Sequence, residues 1–416
     1  MGHLFARTAL EQQKRSDLST RLAITKCLLA RHGLEANRGP SISGYYYFNQ
    51  RLLLLVNRDP NSGSSLIKNG GMAMKTTFCA AALTLLVLAS YATSGSGQQQ
   101  LGEIDFFGYK GIDLAVVRSA LPFREGDFFP PDNGKSSDEL KRQVGEKVRQ
   151  AIGREPTSVT FVCCDSRQRW MVYIGLPGES YQPLSFNPAP NGNIRLPKAA
   201  LTLYEKMDNA WASAVMKGHA TEDDSQGFTL LNDPTARAAE LAIHKYALRN
   251  ETRILQVLAS SSDARHRAVA AQMAGYGRQS NEQTGALVQA SLDSDNDVRN
   301  NAIRALEVLA NSKPELAHRV PSEPFVRLIR SGAWSDRNKA SFLLVALTKS
   351  RDPNLLSSLR RDALDSLVEM ARWRASGHAA PALLILGRIA SIDEDSLGKL
   401  IDAGDVDAVI GKLQQQ

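Results

Sequence analysis

The chain has 416 residues, of which 43% are hydrophobic and 22% charged, with 17 Pro and 4 Cys. This length exceeds one ordinary hydrophobic core and predicts two or three domains. The ordinary apolar fraction excludes wholesale disorder, collagen-like chains and multispan membrane proteins, and the few cysteines exclude a disulfide-dense scaffold.

The net charge of +7 lies entirely near the N-terminus. Residues 1–93 hold 11 Lys and Arg against 4 Asp and Glu, whereas residues 94–416 hold 39 of each sign. A basic excess usually suggests a nucleic-acid partner. Here the excess lies in and before a predicted export signal, so we expect no nucleic acid.

Residues 74–94 have the composition of a secretory signal peptide. Lys75 precedes an uncharged run with its apolar core at Leu83–Leu88, and small residues follow around Ser90 and Ala92. This order of basic, apolar and small residues is typical of such signals. The apolar core is shorter than the ~20 residues that a spanning helix needs.

Two interpretations of this signal remain open. The true start is Met72 or Met74, the signal is cleaved, and residues 1–73 are a dubious or disordered extension. Alternatively, the signal is an uncleaved anchor whose upstream Lys and Arg hold the N-terminus in the cytoplasm. Both interpretations export residues 95–416. We therefore expect a secreted or periplasmic protein, or one that meets the membrane only through residues 74–94.

Cys163 and Cys164 are the cysteines that remain after such cleavage. Adjacent residues of a strand point to opposite faces of a sheet, which opposes a bond between their sulfurs. We expect two buried free thiols.

Residues 100–178 predict a small domain with the order β-α-α-β-β. Asp113 is the expected N-cap of the first helix, and Gly153 is the expected end of the second. The predicted strands are Glu103–Tyr109, Ser158–Cys164 and Arg169–Leu176, and the helices are Ile112–Leu121 and a segment that begins at Ser136 or Ser137.

This order resembles the POTRA domain of outer-membrane assembly and transport proteins over about 75 residues. The matching residues are Ile104, Phe106, Gly108, Leu121, Phe123, Gly126 and Asp127. The resemblance implies that a partner adds a strand at an open edge of the sheet.

Residues 179–231 predict a linker followed by one helix. Pro177–Pro197 contains five prolines together with glycine and several asparagines, which is typical of a loop. The helix is expected over Pro197–Lys217.

Internal repeats occupy residues 232–416. Apolar residues lie 3, 4 and 7 residues after Ala302. The same spacing occurs after Ala340, Ala379 and Ala239, and less completely after Ala268. One helix pair cannot bury its apolar stripe alone, so neighbouring pairs must stack as an α-solenoid. We expect a capping helix pair over Asp395–Gln416. We also expect residues 233–416 to fold alone.

A short acidic and basic motif precedes several of these alanines. The motif consists of Asp263 and Arg265 in one repeat and of Asp297 and Arg299 in the next. In the repeat of Ala340 only its arginine, Arg337, is present. With it the array resembles the HEAT repeat over residues 232–413. The resemblance implies that these residues form a structural ladder between repeats. The predicted fold is therefore mainly α, with a HEAT-like α-solenoid preceded by a small β-α-α-β-β domain.

No catalytic motif of the G-x-S-x-G, H-E-x-x-H or P-loop type occurs. We predict no enzyme activity, no catalytic, cofactor-binding or metal-binding residues, and no cofactor. The expected function is that of an exported scaffold that binds a protein partner on the solenoid surface and at the edge strand of the α/β domain. The alternative is a HEAT-like lyase or an enzyme accessory subunit, because some HEAT-like proteins resemble bilin lyases of photosynthetic antennae.

Overall fold

The computed structural model describes residues 100–129, 135–165, 167 and 169–415, all of which belong to one compact unit. The predictions for residues 1–73 and for the signal at 74–94 lie outside these residues. Within the described ranges, none of the helices combines the length and the apolar character needed to cross a bilayer.

The predicted β-α-α-β-β order is present between residues 101 and 175. Its elements are β1 Leu101–Phe107, α1 Leu114–Ala120, α2 Lys135–Ile152, β2 Ser158–Val162 and β3 Trp170–Gly175. Strand β3 lies in the middle of the sheet, parallel to β1 and antiparallel to β2. Asp113 caps α1 as expected, since its carboxylate accepts a hydrogen bond from the backbone N–H of Ala115 at 2.8 Å.

The two faces of this sheet contact different parts of the chain. Ile104, Val172 and Ile174 belong to the core that also contains Val117 of α1 and Val144 of α2. Because successive side chains of a strand alternate between faces, the residues between them point the other way.

The opposite face of the sheet packs against the repeat array. The ring of Tyr173 stacks on Trp334 with 5.0 Å between centroids and meets Trp373 edge-on at 5.1 Å. Phe107 of β1 approaches the same Trp373 at 6.3 Å. Both faces of the sheet are therefore buried.

The structure joins the sulfurs of Cys163 and Cys164 in a disulfide, where the sequence predicts two free thiols. The prediction assumes that both residues lie in a strand. Strand β2 ends at Val162, so the alternation of side chains between faces does not extend to the two cysteines.

A connector without helices runs from residue 178 to 197, and one helix and two short strands follow it. These are α3 Lys198–Met216, β4 Glu222–Asp223 and β5 Leu230–Leu231. Helix α3 matches the predicted helix, with Pro197 at its N-cap. Strands β4 and β5 form a small antiparallel hairpin, which was not among the elements expected from the sequence.

The rest of the chain is an array of helices. They are α4 Pro234–Ser260, α5 Ala264–Ala274, α6 Asn281–Ala290, α7 Asn296–Ser312, α8 Pro314–Ala317, α9 Glu323–Leu328, α10 Trp334–Leu347, α11 Pro353–Asp362, α12 Leu364–Ala371, α13 Ser376–Ile389, α14 Glu394–Ala403 and α15 Val406–Gln414. Asp263 and Asp295 cap α5 and α7. A non-helical residue, Asn250, kinks α4.

Helices α5, α7, α10 and α13 pack side by side in sequence order and form an inner layer. The chain is therefore a helical-repeat solenoid preceded by a small α/β unit, as predicted. Every residue of α7 from Val298 to Ala310 is buried. This complete burial follows because α7 packs against α5, α6, α8 and α10, and because its Arg304 contacts Glu222 of the β4–β5 hairpin.

Candidate functional site

Buried arginine–carboxylate pairs link three of the inner helices to the following repeat. Arg267 of α5 holds Asp293 with two hydrogen bonds of 2.8 Å, and Arg299 of α7 holds Asp336 of α10 at 2.8 and 2.9 Å. All four side chains are at most 8% exposed. The two-pronged geometry matches the guanidinium to the carboxylate and satisfies both charges away from water.

A third pair follows at α10. Arg337 lies 3.5 Å from Glu369 of α12 and is fully buried. Burial lowers the pKa of Arg337 to about 10. The three arginines occupy the same place in their helices, four residues after the N-cap residues Asp263, Asp295 and Ala333.

Each ladder arginine also holds a loop carbonyl at an equivalent position, and Arg299 donates in addition to the carbonyl of Ser294 at 3.1 Å. Arg267 donates to the carbonyl of Ser261, Arg299 to that of Asp293 and Arg337 to that of Ser331, at 2.8, 2.9 and 2.6 Å. In every case the carbonyl lies six residues before the arginine. The ladder therefore fixes the loops between repeats as well as the helices.

Two of the five predicted ladder residues, Arg299 and Arg337, lie in this ladder. Asp263 instead caps α5 through the backbone N–H of His266 at 3.3 Å. Asp297 lies in the first turn of α7, beyond the cap, and the carboxylates that accept the ladder arginines are at other positions.

Arg265 lies outside the ladder. It is exposed and donates to Glu205 of α3 at 2.9 Å, while Arg267, two residues later, points inward. The prediction of Arg265 follows from aligning the repeat on Ala268. Aligning it on Ala270 fits better, because Met273 and Ala274 follow at positions 3 and 4, and this alignment indicates Arg267 as the ladder residue.

The connector lies along the row of loops that the ladder fixes. Its residues Gln182, Asn187 and Gly192 donate their backbone N–H groups to the carbonyls of Arg330, Leu292 and Ser260, at 2.9, 2.8 and 2.9 Å. Gly192 also accepts from the N–H of Ser262 at 2.8 Å. The connector thus contacts three successive repeats with its backbone.

Side chains at the same surface reinforce these contacts. The guanidinium of Arg299 lies over the ring of Phe186 at 3.8 Å, and Arg337 donates to the carbonyl of Ser180 at 3.2 Å. Near the other end of the connector, the N–H of Leu196 donates to Nδ1 of His266 at 3.0 Å. The connector is therefore anchored near both ends and stacked in the middle.

The loop after β1 binds Glu369. The backbone N–H groups of Gly108, Tyr109 and Lys110 donate to its carboxylate at 2.7, 2.9 and 2.9 Å, and the hydroxyl of Ser180 donates at 2.5 Å. Gly108 has a φ of 70°, which turns successive N–H groups toward one point. Burial nevertheless raises the pKa of Glu369.

A second group of buried charges lies under the β4–β5 hairpin. Arg304 of α7 donates to Glu222 of the hairpin and, at 2.9 Å, to Glu307 of its own helix. Burial raises the pKa of Glu222, and burial lowers the pKa of Lys339 on α10 to about 7. These pairs hold the hairpin on the inner layer. Among the described residues, no set of three or more His, Cys, Asp or Glu is arranged to bind a metal.

The outer edge of β2 lies beside a groove of about 530 Å³. Within the part of the chain that the structure describes, the backbone hydrogen bonds of β2 are all with β3. The lining residues are Lys141, Arg142, Gly145, Glu146 and Arg149 of α2, and Glu155, Pro156, Ser158 and Val159. The groove therefore combines the half-exposed start of β2, at Ser158 and Val159, with a charged helix face, whereas Thr160, Phe161 and Val162 are buried.

Comparison with known proteins gives little further information. The chain matches no protein-family model and no curated protein. A designed armadillo repeat protein in complex with the peptide (KR)4 is 16% identical and covers 46% of this chain and 90% of its own, with a TM-score of 0.31. Another designed armadillo repeat protein is 16% identical over 46% of this chain and 91% of its own, with a TM-score of 0.30.

Proposed function

We propose that the protein is a scaffold that binds an extended segment of a partner protein at the outer edge of β2. The observation that carries this proposal is the half-exposed start of β2, at Ser158 and Val159, which has no second strand beside it among the described residues and borders the groove along α2. An exposed stretch of strand edge is a template for another strand, and added strands gain affinity from backbone hydrogen bonds.

The rest of the architecture supports this role. The outer edge of β1 is occupied, because Leu101 donates its N–H to the carbonyl of Asp127, and Arg118 and Arg374 both donate to the carbonyl of Ile104. The sheet therefore offers β2 as its binding edge. Burial of the opposite sheet face against the solenoid holds that edge rigidly.

We also propose that the array is HEAT-like, that the α/β unit is POTRA-like and that the protein is exported. The composition of residues 74–94 supports export. N-terminal sequencing and fractionation of the protein expressed from its own gene test this. A start near residue 95 in an exported fraction is expected, and a product that retains residue 1 in the cytoplasm would contradict export.

The binding edge can be blocked without changing its hydrogen-bonding groups. Gly145 lines the groove, and a Cβ added there meets only the flexible carboxylate of Glu155 at 3.3 Å. Gly145→Phe should therefore fill the groove and leave the fold intact. Gly285 of α6 is a matched control, because an added Cβ there meets nothing within 4 Å.

The measurement is a selection of displayed extended peptides against the full chain, followed by anisotropy titrations. We expect selected peptides to bind Gly145→Phe at least about tenfold more weakly, a loss of ~1.4 kcal/mol, and to bind Gly285→Phe unchanged. Failure to enrich any peptide, or equal binding to both variants, would contradict the proposal.

A further inference from the structure

The connector and the repeats share a register. Its three backbone donors, Gln182, Asn187 and Gly192, are five residues apart, and each meets a carbonyl from a different repeat. These acceptors are the carbonyls of Arg330, Leu292 and Ser260. One donor per repeat, at a constant interval, is a regular binding arrangement.

The ladder explains why these three acceptors are equivalent. Each lies seven residues before a ladder arginine, directly before the carbonyl that the same arginine holds. The arginine fixes the loop, so the preceding carbonyl keeps its orientation. An acceptor that is already ordered costs little conformational entropy on binding. We call the carbonyls of Ser260, Leu292 and Arg330 the acceptor row.

The connector contributes features suited to this row. Pro183 and Pro188 directly follow the donors Gln182 and Asn187, and proline restricts the preceding residue to extended conformations. Phe186 lies between these two donors in the sequence. Its ring stacks against the guanidinium of Arg299, whose central carbon is 3.8 Å from the ring centroid. A cation over an aromatic face adds an attraction that depends on the side chain.

We propose that the acceptor row is a peptide-binding surface, that the connector occupies it in cis, and that an extended segment of a partner protein takes the connector's place. The partner segment has an aromatic residue directly before a backbone donor, and further donors at five-residue intervals. This inference rests on the scaffold role proposed above, but it concerns a different surface from the groove at β2.

The shallow seat of the connector allows this exchange. Asn187 is exposed, and Gln182, Phe186 and Gly192 are only half-buried. A segment held mainly by backbone hydrogen bonds, with little apolar burial, opens at low free-energy cost. The anchors near its ends, at Ser180 and Leu196, keep the α/β unit attached while residues 182–192 are released.

The test uses the full chain with residues 182–192 replaced by glycine and serine at the same length. A fluorescein-labelled peptide of residues 180–194 supplies the ligand. We expect saturable binding to this variant. We expect binding to the natural chain to be at least about tenfold weaker, because the tethered connector competes at an effective concentration of the order of millimolar.

N-methylation of the peptide backbone tests the register. Methylation at Asn187 removes a donor that meets Leu292, whereas methylation at Leu184 is the matched control, since its N–H has no acceptor among the described residues. We expect the first change to weaken binding at least about tenfold and the second to change it little. Phe186→Ala in the peptide should also weaken binding.

Several results would overturn the proposal. These are no saturable binding to a variant that keeps its helical circular dichroism and cooperative melting, equal losses from the two methylations, or a natural chain that sediments as a dimer with exchanged connectors. If the replaced chain does not fold, the double variant Phe186→Ala, Asn187→Pro keeps the connector and weakens its hold, and the same criteria apply. Gly145→Phe should leave peptide binding unchanged, which separates this surface from the groove.

Discussion

At each ladder position one arginine satisfies two kinds of group at once. Arg267 binds the carboxylate of Asp293 with two nitrogens and the carbonyl of Ser261 with the third. The planar guanidinium has five donors in a fixed fork, so it can bridge a helix, a loop and the next repeat. A lysine, as a single point charge, would leave part of this arrangement unmet.

Replacing Arg267 tests the ladder register directly. We expect Arg267→Ala to lower the free energy of unfolding by ~3–5 kcal/mol, because it leaves the carboxylate of Asp293 buried without a cation. Arg265→Ala removes only an exposed pair with Glu205 and should cost at most ~1 kcal/mol. Urea unfolding of the two variants compares them. Similar losses would show that the ladder does not pass through Arg267.

Lys339 gives the protein a distinct pH dependence. Its pKa is about 7 in the folded chain, against a usual value of 10.5, so between these values the unfolded chain binds the extra proton. The free energy of unfolding should therefore rise with pH in this range, by up to ~1.4 kcal/mol per pH unit. Lys339→Met should flatten the rise, whereas Lys399→Met, at an exposed position, should not. An unchanged slope in Lys339→Met would refute this assignment.

At the scale of elements, the α/β unit and α12 are joined by groups of opposite polarity. The loop after β1 presents three N–H groups to Glu369, and the indole of Trp373 returns a hydrogen bond to the carbonyl of Phe106 at 3.0 Å. Arg374 adds ion pairs to Asp105 and Glu125. The contact is specific because buried polar groups are costly when they lose their partners.

Glu369→Ala should weaken this junction more than the rest of the molecule. The substitution leaves the N–H groups of Gly108 and Tyr109 without an acceptor, that of Lys110 with only Ser180 Oγ, and Arg337 without its carboxylate, so we expect a loss of ~3–5 kcal/mol. Hydrogen exchange should accelerate at Gly108–Lys110. Glu323→Ala, at an exposed pair, should cost at most ~1 kcal/mol and leave exchange unchanged. Unaltered protection in Glu369→Ala would contradict the assigned role.

At the scale of the whole molecule, the N-terminal half completes the solenoid. Helix α7 is buried from Val298 to Ala310, and Trp334 and His378 of the inner layer contact Tyr173 of the sheet. Without residues 100–232, Trp334, His378 and the part of α7 around Arg304 would face water. The contacts therefore give the opposite expectation to the sequence for residues 233–416.

We expect residues 233–416 alone to form a loosened helical state that binds a hydrophobic dye and melts without cooperativity. Co-expression with residues 100–232 should restore a cooperative transition and yield a complex that co-purifies. A monomeric fragment with a sharp melting transition and no dye binding would show that the inner layer is stable without its cover.

The sequence predicts the local elements of this fold but not the contacts between residues that are far apart in the chain. The β-α-α-β-β order, the cap at Asp113 and most repeat helices follow from spacing within a few turns of chain. The partners of Arg267 and Arg337 do not, since a shift of two residues moves an arginine from the buried to the exposed face. The bond from Gly108 to Glu369 spans 261 residues, and no local pattern indicates it.

The constant interval between connector donors also ties two lengths of the chain together. Each repeat crossed by the connector corresponds to five connector residues, from Gln182 to Asn187 to Gly192. A chain that gained one repeat in this stretch would need five more connector residues to keep both ends attached. Insertions in the connector and in the repeat array are therefore compatible only when each added repeat is matched by five added connector residues.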